Sequence, residues 1–301
     1  MRCGSFAAAA AKPHAARRLP AWQADYTVAP DPRLPAGTVF KRFRPSKREG
    51  GARGAFLGCQ VTNGSAQVLH VLISGGFSGA YEQLLPHFER ASGLKVATGS
   101  GASQGKGPQT IAAQLARGVP ADVVILSREG LDELIAARRI VAGTDKDLAC
   151  VPLGVGVRAN APKPDVSTVA AFKRLLLRAK AVAVPESTSG IWLMSELFPR
   201  LGIAEKLAIK PAPRGTDATR MVAAGEVDVT VQPVSEILLA PGVEFAGSLA
   251  SEIQFVQTFS AARVTGSQRI EGSRRLIEFL ASAAASEAIR NSGMEPLAAA
   301  P

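Results

Sequence analysis

Aromatic residues make up only 5% of this 301-residue chain, with two Trp and two Tyr among them. Stacking on bases or sugar rings is therefore not its main means of recognition. Histidine is scarcer still, and His14, His70 and His87 are too scattered to act as paired ligands. The three cysteines, Cys3, Cys59 and Cys150, form neither a metal spacing nor an even disulfide framework. A zinc or iron centre is not expected, and no cofactor is expected either. Cys150 reads as a small buried apolar side chain. No apolar run approaches the ~18 residues that a membrane-crossing helix needs. Ser/His/Asp and Cys/His constellations are also missing, so nothing obliges nucleophilic catalysis.

Acidic residues are outnumbered, with 35 Lys and Arg against 25 Asp and Glu, but the excess is local. Residues 1–66 hold 11 of the cations and 3 of the anions, and the remaining 235 residues are nearly neutral. Phosphate-backbone affinity needs clustered cations on the folded body, so nucleic-acid binding is not expected. The first 66 residues carry an alanine run, many prolines and a basic stretch from Lys41 to Arg48, without a sustained period of 2 or 3.6. They read as a disordered leader, or as translated non-coding sequence ahead of the true start. Phe6–Ala11 is too short and too weakly apolar for a convincing secretory signal.

What is present is a rhythm that starts at Val68. Short apolar runs end in small hydroxyl-and-glycine loops, and each loop opens into an amphipathic helix. Val68–Ile73 stops at Ser74-Gly75-Gly76, and Tyr81, Leu84, Leu85 and Phe88 follow at helical spacing. A strand at 94–97 stops at Gly99–Ser103, and a helix follows near 109–117. Ala181–Val184 stops at Ser187-Thr188-Ser189-Gly190, and Met194, Leu197, Phe198 and Leu201 mark the next helix. Further strands are expected at 122–126, 148–157, 228–231 and 253–264. Further helices are expected around Leu131, over 169–176, over 217–224, and as one long run over 274–291. Strand alternating with helix implies a parallel sheet covered on both faces. The repeated unit in both halves predicts a two-lobed α/β protein, with loops at strand C-termini facing one another across a cleft. Such loops gather free backbone N–H groups, hydroxyls and positive helix ends around one point, which suits a small anion.

Several stretches then carry a family likeness. Ser100-Gly101-Ala102-Ser103, Gly118–Val123, Pro185–Gly190 and Ala224–Asp228 occur in an order that resembles the type II periplasmic substrate-binding proteins, and among them the molybdate-binding branch. The resemblance covers residues 68–297 and implies one lobe from 67–147 plus 247–301 and another from 148–246. It also implies a periplasmic monomer that captures a small anion for an ABC permease. Carried over by position, Ser74 with Gly75 and Ser103 would supply donors from one lobe. Ser187, Thr188, Ser189 and Gly190 would do so from the other, together with Gly215 and Thr216. Each of these serines would serve equally as a helix N-cap.

One departure matters. Molybdate binders place a tyrosine where this chain has Gln232-Pro233, and Val231–Ile237 with Pro241–Val243 instead resembles a branch similar to aconitate isomerase. Lys106, Arg214 and Arg220 lie in or beside the site loops, where carboxylates would favour them. On that alternative, an enzyme moves a double bond in a tricarboxylate, and Glu186 is the best-placed carboxylate for the proton transfer. A third alternative is the effector-sensing half of a regulator, since LysR-type activators resemble this fold. The leader has the length of their helix-turn-helix but too many prolines for it.

Overall fold

Residues 68–297 are described by the computed structural model, so the expectations for the leader lie outside the described residues. The first apolar run forms β1 (Val68–Ile73) and leads at once into α1 (Gly75–Ser92). That helix runs on through Pro86 and closes at Gly93, whose φ of 72° a glycine adopts without strain. The rest of the first half is β2 (Lys95–Ser100), α2 (Ile111–Ala116), β3 (Val123–Ser127) and α3 (Arg128–Ala136). A 13-residue strand, β4 (Lys146–Arg158), leads to α4 (Val169–Arg178) and β5 (Val182–Pro185). A helical stretch follows as α5 (Thr188–Trp192), a π-turn at Leu193–Leu197 and α6 (Phe198–Arg200). Then come β6 (Ile209–Ala212), α7 (Gly215–Ala223), β7 (Val229–Pro233), α8 (Val234–Leu238) and β8 (Val243–Ser248). The chain ends in β9 (Val256–Arg263), α9 (Ile270–Leu280), α10 (Ser286–Asn291) and β10 (Glu295–Pro296).

The strands form one sheet in the order β2-β1-β3-β9-β4-β7-β5-β6, with β8 and β10 also paired to β4. It is not wholly parallel as expected. The outer pairs, β1 with β2 and β3 and β5 with β6 and β7, are parallel. The centre is antiparallel, because β4 and β9 run against each other and against β7 and β3 respectively. Gly154 and Gly156 of β4 flank Val155, where the register with β8 shifts between Val155 and Gly156. The expected long C-terminal helix is broken after Leu280. Ser282 takes an extended conformation there, and its hydroxyl donates to the carbonyl of Phe279 at 2.7 Å.

Apolar faces fix this arrangement. Leu69, Val71 and Ile73 of β1 pack with Phe77, Tyr81 and Leu84 of α1, and Phe77 meets Phe259 of β9 at a ring-centroid distance of 6.5 Å. Leu153, Val155 and Val157 of β4 pack with Phe172 and Leu176 of α4 and with Phe198. Each such side chain, fully buried, contributes roughly 1.5–3 kcal/mol. Strand β4 belongs to both clusters through Leu148, Val151 and Leu153. Among the described residues no helix is long and apolar enough to cross a membrane.

Candidate functional site

Three helices begin at one cavity. α1 starts there after Ser74, α5 after Ser187 and α7 after Arg214, and all three preceding residues line it. None of the three caps its own helix through its side chain. Elsewhere the side chains of Thr110, Ser127 and Thr168 accept from the backbone N–H groups of Ala113, Gly130 and Ala171, as N-caps do. The two roles open to each serine in the sequence are thus separated. The Ser74 hydroxyl is buried without a partner, and its chemistry is left for the cavity.

Of the residues expected at the site, Ser74, Gly75, Ser103, Ser187, Ser189, Arg214 and Gly215 line this cavity. Lys106 and Thr216 are exposed and do not line it. Arg220 points to solvent and pairs with Asp217 at 2.9 Å. Thr188 is buried, and its hydroxyl is 2.7 Å from that of Ser127. Glu186 is exposed outside the cavity, with its carbonyl packed against Gly105. Gln232 is fully buried at the end of β7 but does not line the cavity; its Oε1 accepts from the Thr230 hydroxyl at 3.2 Å. Gly190 is also buried outside the cavity, and a Cβ there would lie 1.6 Å from the carbonyl oxygen of Pro185. That close backbone approach requires glycine there.

Sequence reasoning missed Glu236 and Gln257. Glu236 is in the first turn of α8 and lines the cavity. Its carboxyl group is wedged against the first residues of α1 and α7. A Cβ on Gly75 would stand 2.5 Å from its Oε1, and one on Gly215 would stand 2.0 Å from its Oε2. Those two glycines make room for a carboxyl group, which explains their residue type better than donation alone. Burial pushes the Glu236 carboxyl up to about 7, and the Arg214 guanidinium opposes that rise. Its signal in the sequence was a fourth strand, β7, running straight into a helix with an acid in the first turn. Gln257 comes from β9, two residues before Phe259 on the same face, and both line the cavity.

Bonds also cross between the two ends of the sheet. Arg214 donates from Nη1 to the Ser100 hydroxyl at 3.0 Å and from Nε to Asp217 at 3.4 Å. Ser103 is no cap; its Oγ accepts from the backbone N–H of Ser127 at 3.0 Å. Ser103→Ala would leave that buried N–H unpaired, so a stability loss of about 1–3 kcal/mol is expected, readable as a lower urea midpoint without ligand. An unchanged midpoint would show that the Ser127 amide finds another acceptor. Among the described residues no group of three His, Cys, Asp or Glu side chains could hold a metal ion.

Residues 69–295 match the family described as bacterial extracellular solute-binding proteins. The chain belongs to this family. Aconitate isomerase from a Pseudomonas species is 37% identical over 238 residues, covering 77% of this chain and 89% of that protein. The periplasmic molybdate-binding protein of Azotobacter vinelandii superposes with a TM-score of 0.62 at 19% identity, over 77% of this chain and 99% of that one. The sulfate-binding protein of Mycobacterium tuberculosis H37Rv gives a TM-score of 0.60 at 21% identity, over 76% and 87% respectively. At these identities the two structures establish a shared fold.

Proposed function

We propose that this solute-binding protein is a tricarboxylate double-bond isomerase, with Glu236 as the group that moves the proton. The observation that carries this reading is a carboxyl group that lines the cavity, wedged against the first residues of α1 and α7, where burial raises it to about 7. An inorganic oxyanion carrier gains nothing from a second negative charge there. A base for a carbon acid, in contrast, is best poised near the working pH. The 37% identity to an aconitate isomerase over most of both chains supports the same substrate class.

The chemistry balances without any oxidant or reductant. Ionised Glu236 takes a proton from the methylene carbon next to the double bond. The electron pair delocalises over the three-carbon unit and onto the flanking carboxylate, where Arg214 and the helix N-termini stabilise the added charge. Glu236 then returns a proton to the carbon at the far end, and the double bond has moved by one position. Ser187 and Ser189 donate to the substrate carboxylates and hold the methylene in place. Glu186, favoured by the sequence alone, is replaced in this role by Glu236.

A second reading is capture for uptake, in which two lobes, divided near 147/148 and 246/247, close on the anion in the periplasm and deliver it to an ABC permease. The bonds from Arg214 to Ser100 and from Ser127 to Thr188 favour it, since they join residues far apart in the sheet as closure would. The test is a melting panel on the full chain with molybdate, tungstate, sulfate, citrate, cis-aconitate and trans-aconitate. A ligand at ~100 times its dissociation constant adds about 2.7 kcal/mol. The expected result is a shift with the tricarboxylates alone, and NMR on the same samples should show the two aconitates interconverting. A shift with molybdate or tungstate alone would overturn the carboxylate reading. A carboxylate shift without conversion would leave capture for uptake.

A further inference from the structure

The mechanism above leaves two polar side chains of the cavity, Gln257 and Ser74, without a role. Gln257 is only 3% exposed, and its Oε1 is buried with no hydrogen-bond partner. Its strand neighbours on the same side of the sheet are built for a core. Phe259 is 1% exposed, and Val151, directly opposite on β4, is completely buried. An amide in such a place is unfavourable unless something bonds to it. Leucine would fill the position with no unpaired atoms. The cavity also holds the unpartnered Ser74 hydroxyl, which comes from the end of β1 in the same half of the sheet as β9. Arg214, Ser187 and Ser189 come from the half that holds β5 and β6. Hydrogen-bonding capacity is therefore unused on the side of the cavity that lacks the cation.

We infer that Gln257, with the Ser74 hydroxyl, is a specificity-determining subsite for a carboxyl group at the end of the substrate remote from Arg214. The amide can turn its Nε2 donor or its Oε1 acceptor toward the ligand. It thus takes a carboxylate as well as its protonated form, without adding a charge beside Glu236. A shorter dicarboxylate held by Arg214 has no group to place there. The subsite therefore selects three-carboxylate substrates over two-carboxylate ones. This inference rests on the tricarboxylate part of the proposed function and not on catalysis.

The experiment is calorimetric titration of the full chain and its Gln257→Leu variant with trans-aconitate and with fumarate, alongside NMR of aconitate conversion and melting without ligand. The variant should bind trans-aconitate about 10- to 100-fold more weakly. Its fumarate affinity should change less than about 2-fold, and its ligand-free melting temperature should stay level or rise, because an unpaired amide has been removed. Equal losses for both ligands, or no loss for trans-aconitate, would overturn the subsite. A lowered ligand-free melting temperature with both affinities unchanged would assign Gln257 a structural role instead. If the parent chain binds trans-aconitate without converting it and the variant loses that affinity, the isomerase reading fails and the subsite stands. If the parent converts aconitate and the variant is unaffected, the subsite alone fails. If the parent binds no tricarboxylate, both fall.

Discussion

Glu236→Gln should reduce aconitate conversion by about 10²- to 10⁴-fold while trans-aconitate still binds, because the amide keeps the shape of the carboxyl group but cannot accept the proton. In the parent protein the rate should rise with pH and level off above about 7, the value to which burial lifts Glu236. The same variant carries a stability effect with a defined sign. The folded pKa of about 7 exceeds the ordinary 4.5, so the folded state holds this proton more tightly than the unfolded chain. The contribution is therefore full below about 4.5 and is lost as pH rises through 7, amounting to about 3 kcal/mol. Urea unfolding should show Glu236→Gln more stable than the parent at pH 8, with the difference closing below pH ~4.5. Conversion that survives the substitution would remove Glu236 from proton transfer. Equal stabilities at pH 8 would show instead that the carboxyl group is well solvated.

Gly190→Ala is the other large effect, and it acts on the fold. The added methyl would have to sit 1.6 Å from the Pro185 carbonyl oxygen, a backbone atom at the end of β5 that no rotamer change can move. Strand β5 and helix α5 would have to separate, and both carry buried side chains of the second core cluster or flank them. A loss of about 3 kcal/mol or more is expected, which for a domain of this size lowers Tm by roughly 6–12 °C. Calorimetry on the ligand-free protein checks this. A drop of less than about 1 kcal/mol would mean that the 185–190 turn can open at little cost.

Why was so much of the fold legible, and so little of the site? Strands β1, β3 and β5 are short apolar runs with sharp ends, and α1 repeats its apolar residues at 3.6 spacing up to Gly93. Those signals are local, and they placed the elements within a few residues. Strand direction is not local. β4 and β9 are buried on both faces, so their composition reads like that of parallel strands, and only the tertiary pairing shows them antiparallel. The break after Leu280 was hidden by an alanine and serine run that offers no period to interrupt. Of the residues that line the cavity, Ser74 and Ser187 were legible because each follows a short apolar run that opens into helically spaced apolar residues, and Arg214 because it is a cation beside the Gly215-Thr216 loop. α8 has five residues and a proline N-cap, so the strand-to-helix junction that carries Glu236 had no comparable marker. Gln257 was invisible for another reason. A glutamine inside a strand ordinarily faces water, and only the pairing of β9 with β4 and the packing of Phe259 turn it inward.

The division among the helix N-caps has a consequence for what occupancy means in this protein. Thr110, Ser127 and Thr168 complete their helices from within the chain. α1, α5 and α7 begin without that help, all at one point. On the function proposed above, a substrate carboxylate at this point becomes a single terminator shared by three helices that are remote from one another in sequence. Selection for a tighter grip on the solute and selection for a firmer fold then act on the same three junctions. A turnover enzyme, which must release its product, has to leave those junctions somewhat loose.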